Sequence, residues 1–190
     1  AVIGAGAMGS LYGGKLAAAG NEVVLYDINT AHVDAVNEKG LIIEDMASGE
    51  KEVTEPAASA DPSSVEGSDI LIVFVKSTAT EAIARQFKDI AGKDTIVLTL
   101  QNGVGNEEIL RNAFGAERTA AGVTSQGATF LGPGEVRHAG KGPTHLCMSD
   151  KNNIRLTPFI EKLRKAGFEA DTEENIENLI WSKLIINVGI

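Results

Sequence analysis

The sequence has little cysteine and no long apolar run. Cys147 is the only cysteine among 190 residues, so no disulfide can form within the chain, and we expect a reducing compartment, the cytoplasm. No apolar run approaches the ~20 residues of a membrane span, and the first residues lack the charged start and apolar stretch of a signal peptide. We therefore predict no membrane partner. Cys147 itself, between Leu146 and Met148, is expected to be buried in a strand.

Basic residues are also in the minority. The chain has 17 Lys and Arg against 26 Asp and Glu, a net charge of −9 that would be repelled by nucleic acid or by an anionic membrane. The three histidines, His32, His138 and His145, have no metal-ligand spacing, and His32 is expected on an exposed helix. We predict no metal site and assign none of the three a role.

Strand and helix patterns alternate along the chain, and several strands are apolar without a polar break, as in Ile70 to Val75. Such patterns favour an α/β fold with a doubly wound, mostly parallel sheet, covered on both faces. Residues 31–39 are predicted to form a helix with Thr30 as its N-cap, and residues 40–56 two short strands. Residues 127–149, with a turn at Gly132 to Gly134, are predicted to add antiparallel strands to the sheet.

A glycine-rich hexapeptide follows the first strand. It matches G-x-G-x-x-G and comprises Gly4, Ala5, Gly6, Ala7, Met8 and Gly9. In that pattern the first glycine permits a tight turn, the second lets the backbone approach a pyrophosphate, and the third lets the helix pack close to the strand. Free amides of the first helical turn then bind the phosphates. Its position between a strand and a helix predicts a Rossmann-type dinucleotide site.

An acidic residue, Asp27, ends the second predicted strand. Asp27 lies 18 residues after Gly9, where a carboxylate accepts hydrogen bonds from the adenosine ribose. A carboxylate there would repel the additional phosphate of NADP, and no lysine or arginine follows until Lys39. On charge alone the sequence therefore favours NAD over NADP.

Three further segments fit one pattern together with the glycine loop. They are Phe74-Val75-Lys76, Gln101-Asn102-Gly103-Val104-Gly105, and residues 181–187, Trp-Ser-Lys-Leu-Ile-Ile-Asn. With the Gly-Ala-Gly-Ala-Met-Gly opening, the chain resembles the ketopantoate reductases (2-dehydropantoate 2-reductases) over essentially its whole length. The resemblance implies NAD(P)H-dependent reduction of ketopantoate to pantoate in pantothenate biosynthesis, with NADP as the cofactor that many members use.

The resemblance also implies roles for individual residues. Lys183 would be the general acid, Asn187 would hold the substrate, and Asn102 would contact both substrate and cofactor. Lys76 would lie beside the cofactor, and Ala128 would touch its nicotinamide end. Some relatives of this family reduce other 2-keto acids with NADH. The resemblance therefore leaves an NAD-dependent D-2-hydroxyacid dehydrogenase as the alternative.

The residues themselves support a role for Lys183. On a helical wheel of residues 173–190, Lys183 and Asn187 lie one turn apart within an apolar stripe. An ammonium there is costly unless it is paired or functional, although a lysine at the edge of the stripe can extend to solvent. Hydride transfer to a ketone generates an alkoxide, which a protonated lysine can neutralise.

Other functions and the extent of the chain also stay open. A relative acting on glycerol phosphate or opines, or a non-catalytic module that senses a dinucleotide, would use the same glycine loop. Both ends of the sequence look cut. Residues 1–3 are typical of the end of a strand, and the last residues stop in the middle of a helical pattern. We expect residues 1–172 to form the dinucleotide-binding domain and residues 173–190 the first helix of a helical substrate domain, through which the resemblance implies a homodimer.

Overall fold

The fold is described from a computed structural model, which covers residues 1–188, with side chains up to Ile185. The six α-helices of this part are α1 (Ala7–Ala18), α2 (Thr30–Lys39), α3 (Thr80–Phe87), α4 (Asn106–Phe114), α5 (Thr157–Lys165) and α6 (Ile176–Val188). Its twelve strands are β1 (Val2–Ile3), β2 (Val24–Tyr26), β3 (Leu41–Asp45), β4 (Lys51–Thr54), β5 (Ala57–Ser59), β6 (Ile70–Val73), β7 (Ile96–Thr99), β8 (Thr119–Thr124), β9 (Gly127–Gly132), β10 (Glu135–Gly140), β11 (Thr144–Met148) and β12 (Ala170–Thr172).

Eight of the strands form the main sheet, in the order β12-β11-β8-β7-β6-β1-β2-β5. All neighbouring pairs are parallel except β8 and β11, which run antiparallel. The chain moves from β1 outward to β2 and β5, then returns to the other side of β1 to build β6, β7 and β8. This reversal creates a crevice at the carboxyl ends of β1 and β6, which is where doubly wound sheets bind ligands.

The core lies on both faces of this sheet, as the unbroken apolar strands predict. Leu71, Ile72 and Val73 of β6 are all buried, and so is every residue of β7. Burying a side chain of this size contributes about 1.5–3 kcal/mol, so the central strands anchor the loops that follow them. Cys147 is buried in β11, as predicted.

Four strands form a second, smaller sheet in the order β4-β3-β10-β9. The strands predicted within residues 40–56 are confirmed as the antiparallel pair β3 and β4. Of the added antiparallel strands, β11 joins the main sheet, whereas the β9–β10 hairpin pairs with β3, and β10 is parallel to it. This pairing joins segments almost a hundred residues apart, which a local pattern cannot specify.

Two local predictions in α2 are wrong. The helix begins at Thr30 and its N-cap is Asn29, whose side chain accepts a hydrogen bond from the His32 backbone N–H. The His32 side chain is completely buried rather than exposed, because the β9–β10 turn covers it: Gly134 N–H donates to its ring. Strand β5 was also not indicated by the pattern, because Ala57 to Ser59 lacks β-branched residues.

Candidate functional site

The glycine loop connects β1 to α1 in a conformation that requires glycine at two positions. Gly4 has φ of +93°, in the left-handed region. A Cβ atom placed on Gly9 would lie 2.0 Å from the Gly4 carbonyl oxygen, so any side chain there would displace the backbone. The loop therefore brings α1 against β1 as closely as the motif predicts.

The middle glycine has a different environment. Gly6 is exposed, forms the N-cap of α1, and a Cβ atom built on it would meet nothing within 4 Å. No side chain caps this helix end. An open backbone at a helix N-terminus suits a negatively charged group, so the loop fits the pyrophosphate of a dinucleotide.

Asp27 directly follows β2, which neighbours β1 in the sheet. Its carboxylate accepts a hydrogen bond from the Asn29 backbone N–H at 2.9 Å, and the residue is half-buried. The next side chain, Ile28, is 83% exposed. Asp27 thus lies at the edge of the sheet where the glycine loop begins, in the place expected of an acid that contacts a ribose.

A cleft of about 310 Å³ opens beside the glycine loop at the carboxyl ends of β1, β6 and β7. It brings together Met8 of the glycine loop and three of the side chains predicted from the sequence, Lys76, Asn102 and Lys183. These come from four separate segments of the chain. The complete lining is Met8, Phe74, Val75, Lys76, Ser77, Leu100, Gln101, Asn102, Thr124, Gln126 and Lys183.

Lys183 points from α6 into this cleft. Its Nζ donates a hydrogen bond to the backbone carbonyl oxygen of Thr124, at the end of β8, at 2.5 Å. The side chain is half-buried, and burial lowers the pKa of Lys183 from its ordinary value. A lysine placed in the cleft can transfer its proton to an oxygen that is bound there.

A buried amide, Asn106, ties together the loops that carry Lys76 and Asn102. Its Nδ2 donates to the Asn102 carbonyl oxygen and to Ser77 Oγ, both at 3.2 Å. Its Oδ1 accepts from Thr80 Oγ1 at 2.9 Å. Because the residue is only 3% exposed, these bonds are shielded from water and hold the loops in register.

Gln101 makes a second connection between the same loops. Its Nε2 donates to the Val75 carbonyl oxygen at 2.7 Å and to Thr80 Oγ1 at 2.8 Å. Its Oε1 accepts from Thr99 Oγ1 at 2.9 Å. Gln101 and Asn106 were not among the site residues predicted from the sequence. Gln101 directly follows the buried run of β7, which was a signal that could have indicated it, whereas Asn106 begins α4.

The side chain of Thr124, whose backbone carbonyl accepts the hydrogen bond from Lys183, is held in place by other buried hydroxyl groups. Tyr12 of α1 donates from its hydroxyl to Thr124 Oγ1 at 2.7 Å, and Thr144 Oγ1 lies 2.7 Å from the same hydroxyl. The Tyr12 ring stacks on Phe168 with centroids 4.4 Å apart. Burial raises the pKa of Tyr12, so the hydroxyl stays protonated and remains a donor. No local pattern indicates this contact, because it joins residues more than a hundred positions apart.

Gln126 forms another wall of the cleft. His138 Nε2 donates to Gln126 Oε1 at 2.7 Å, and Gln126 Nε2 donates to the Gly142 carbonyl oxygen. With both ends of its amide engaged, Gln126 is a fixed part of the wall.

Not every predicted residue reaches the cleft. Ala128 is half-buried in β9 and does not line it. Asn187 belongs to α6, but its side chain lies outside the described residues. Within the described part of the chain, no group of His, Cys, Asp and Glu could hold a metal ion, and no helix is long and apolar enough to cross a membrane.

Comparison with known proteins gives consistent matches. A family model described as ketopantoate reductase PanE/ApbA matches residues 1–151. The 2-dehydropantoate 2-reductase of Halobacterium salinarum is 36% identical over 191 residues, which is 100% of this chain and 62% of the relative. The chain therefore spans about three fifths of the length of the curated relatives it matches.

Solved structures agree on the fold. A PanE/ApbA family ketopantoate reductase from Ralstonia eutropha has a TM-score of 0.87 at 37% identity, covering 98% of this chain and 60% of that chain. The ternary structure of D-mandelate dehydrogenase with NADH and anilino(oxo)acetate has a TM-score of 0.88 at 32% identity, with the same coverage. The predicted α/β fold, a Rossmann-type sheet with added antiparallel strands, is confirmed.

Proposed function

The chain belongs to the ketopantoate reductase family, and on that premise we propose that it reduces a 2-keto acid, ketopantoate, with a nicotinamide dinucleotide as hydride donor. The observation that carries the proposal is the shared cleft, in which Met8 of the glycine loop and Lys183 of α6 line one space. A dinucleotide seated on the glycine loop would reach this space with its nicotinamide end. The product would be pantoate, an intermediate on the route to pantothenate.

We propose that the chain holds the dinucleotide through residues on four loops, which follow β1, β2, β6 and β7. The backbone of Gly4 to Gly9 and the N-terminus of α1 would bind the pyrophosphate, and Asp27 would accept hydrogen bonds from the adenosine ribose. Lys76, exposed at the cleft, would contact the cofactor, as would Asn102. Ala128 does not line the cleft, so any contact with the nicotinamide end would be made from its place in β9.

The bound dinucleotide would supply a hydride to the keto carbon. Lys183 would polarise the keto oxygen and then transfer its proton to that oxygen, so that no free alkoxide forms. Its positive charge would also attract the substrate carboxylate. Asn102 and Asn187 would orient the carbonyl and the neighbouring hydroxyl without adding charge.

We propose NAD rather than NADP as the preferred cofactor, on the charge of Asp27. Nothing basic neighbours this carboxylate in sequence: Ile28, Asn29 and Thr30 follow it. The family resemblance favours NADP. The ratio of kcat/KM for NADH to kcat/KM for NADPH separates these two expectations.

A second candidate function is an NAD-dependent D-2-hydroxyacid dehydrogenase. The similarity to D-mandelate dehydrogenase, whose structure contains NADH, favours it together with Asp27. A third candidate, a sensor that binds a dinucleotide without turnover, needs no proton donor. The placement of Lys183 in the cleft, at the cost of partial burial, argues against a sensor.

We propose that residues 1–172 are the dinucleotide-binding domain and that residues 173–190 begin a helical substrate domain. Dimerisation through that second domain is part of the proposal. The single cysteine, which is buried, agrees with a reducing compartment, the cytoplasm.

The test is steady-state oxidation of NADH and NADPH by the whole protein, first with ketopantoate and then with the bulkier phenylglyoxylate. Preference for ketopantoate supports the leading proposal, and preference for phenylglyoxylate with NADH supports the second. Tight binding of a dinucleotide without turnover of any 2-keto acid would support the sensor.

A further inference from the structure

His32 connects three elements that are distant in sequence. It lies on α2, is completely buried, and its ring stands between α1 and the turn that joins β9 to β10. The Gly134 backbone N–H, in that turn, donates to Nδ1 of the ring at 2.9 Å. On the opposite side, Nε2 lies 3.0 Å from the hydroxyl of Ser10, a buried residue of α1. The proposed reaction uses neither side chain.

The direction of each hydrogen bond follows from its partners. A backbone N–H can only donate, so Nδ1 of His32 must present its lone pair to Gly134. In the neutral ring the proton is then on Nε2, which donates to Ser10 Oγ. The Ser10 hydroxyl is left to donate its own hydrogen, and the Ala5 carbonyl oxygen accepts it at 2.8 Å. Burial lowers the pKa of His32, which agrees with a neutral ring.

The last of these bonds fixes a peptide plane of the glycine loop. In a trans peptide the C=O of one residue and the N–H of the next point in opposite directions. Ala5 is buried and its carbonyl points inward to Ser10, so the N–H of Gly6 points outward. Gly6 is exposed, and a Cβ atom built on it would meet nothing within 4 Å. Its N–H is therefore open to an anion bound at the N-terminus of α1.

We propose that His32 is a positioning residue for the dinucleotide: through Ser10 it fixes the Ala5–Gly6 peptide so that the Gly6 N–H faces the pyrophosphate. This inference rests on the proposed function, because it assumes that a dinucleotide occupies the glycine loop. It gives the small sheet an indirect part in binding, since the Gly134 N–H in the β9–β10 turn holds the neutral ring in the tautomer that carries its proton on Nε2. A residue that only anchored the hairpin would need its contact to Gly134 and not its contact to Ser10.

Two substitutions separate these roles. An asparagine amide reaches the position of Nδ1, so His32→Asn keeps an acceptor for Gly134 and loses the donor to Ser10. A glutamine amide reaches the position of Nε2, so His32→Gln keeps the donor to Ser10 and loses the acceptor for Gly134. Ser10→Ala removes the bond to Ala5 directly. His145→Asn, at a half-buried histidine of β11, is the matched control.

The experiment measures the dissociation constants of NADH and NADPH by calorimetry on the whole protein, with the melting temperature of each variant. We expect Ser10→Ala and His32→Asn to weaken binding about 3- to 10-fold, the range of one hydrogen bond, and His32→Gln to weaken it less. The KM for the dinucleotide should rise by a larger factor than kcat falls. The double variant of Ser10→Ala and His32→Asn should lose no more affinity than the weaker-binding single variant, because both act on one bond.

The proposal is overturned if Ser10→Ala binds as tightly as wild type, or if His32→Asn binds more tightly than His32→Gln. Should the His32 variants fail to fold, Ser10→Ala alone decides, since it removes a single oxygen atom. If the wild-type protein binds neither dinucleotide, the proposed function fails and this inference with it. Tight wild-type binding together with unaffected variants refutes only the positioning role.

Discussion

The glycine loop and the Lys183 end of the cleft meet at one edge of the sheet, yet they are built differently. The loop is six consecutive residues whose shape follows from backbone geometry, with Gly4 in a left-handed conformation and Gly9 against a carbonyl. The other end consists of side chains from distant segments, including Lys76, Asn102 and Lys183, whose positions depend on buried hydrogen bonds. Damage to the loop should therefore impair binding most, and damage at Lys183 should impair chemistry most.

The largest expected effect lies at the Lys183 end. In the whole protein, Lys183→Met should lower kcat about 10²-fold or more, because the proton donor is lost. The dissociation constant of the dinucleotide should stay within about threefold of wild type, because Lys183 is proposed to act on the substrate and not to hold the dinucleotide. The melting temperature should not fall, because an apolar side chain relieves the cost of a half-buried ammonium. More than about a tenth of wild-type turnover in this variant would remove Lys183 from the role of general acid.

The pH dependence of kcat gives the next largest effect. Lys183 donates a proton only while charged, and burial lowers its pKa below the ordinary value of about 10.4. The rate should therefore be flat where Lys183 is protonated and fall about tenfold per pH unit above its pKa, with the bend below pH 10.4. A rate that rises with pH through this range would mean that the neutral amine is the active form.

The loop offers a matched pair of glycine substitutions. Gly9→Ala places a Cβ atom against the Gly4 carbonyl and should cost about 3 kcal/mol or more, seen as a melting temperature lower by about 5–10 °C. Gly6→Ala meets no atom of the protein and should leave the melting temperature unchanged. It should still weaken dinucleotide binding about tenfold, because its methyl group occupies the space of the ligand. Unchanged binding by Gly6→Ala would place the ligand elsewhere.

The smallest effect is expected at Gln101, which supports the Lys183 end without touching Lys183. Gln101→Met keeps the shape of the side chain and removes its bonds to Val75, Thr80 and Thr99. We expect kcat to fall about 3- to 10-fold, the equivalent of one buried hydrogen bond, with a smaller change in dinucleotide affinity. Circular dichroism and the melting temperature check that the fold is retained. An equal loss in kcat and in dinucleotide affinity would show that Gln101 supports the glycine loop and the Lys183 end to the same extent.

The same contrast explains which features the sequence could predict. The glycine loop, Asp27 and the apolar strands are encoded locally, by motif and by periodicity, and the structure places them as expected. Lys183 could be predicted from the family resemblance and because it interrupts an apolar helical stripe. The bond between Tyr12 and Thr124 and the burial of His32 depend on pairings across a hundred residues or more, which no local pattern specifies. The N-cap of α2 was misplaced by one residue because Asn29 and Thr30 are both good capping residues.

The central claim is that this cleft supports direct hydride transfer to a keto carbon. The most direct test supplies the whole protein with NADH or NADPH carrying deuterium at the transferable C4 position, together with ketopantoate or phenylglyoxylate, and analyses the product by mass spectrometry. Direct transfer would place one deuterium on C2 of the 2-hydroxy acid, formed in step with oxidation of the dinucleotide. A product without deuterium, or no 2-hydroxy acid at all from a protein that binds the dinucleotide, would contradict it.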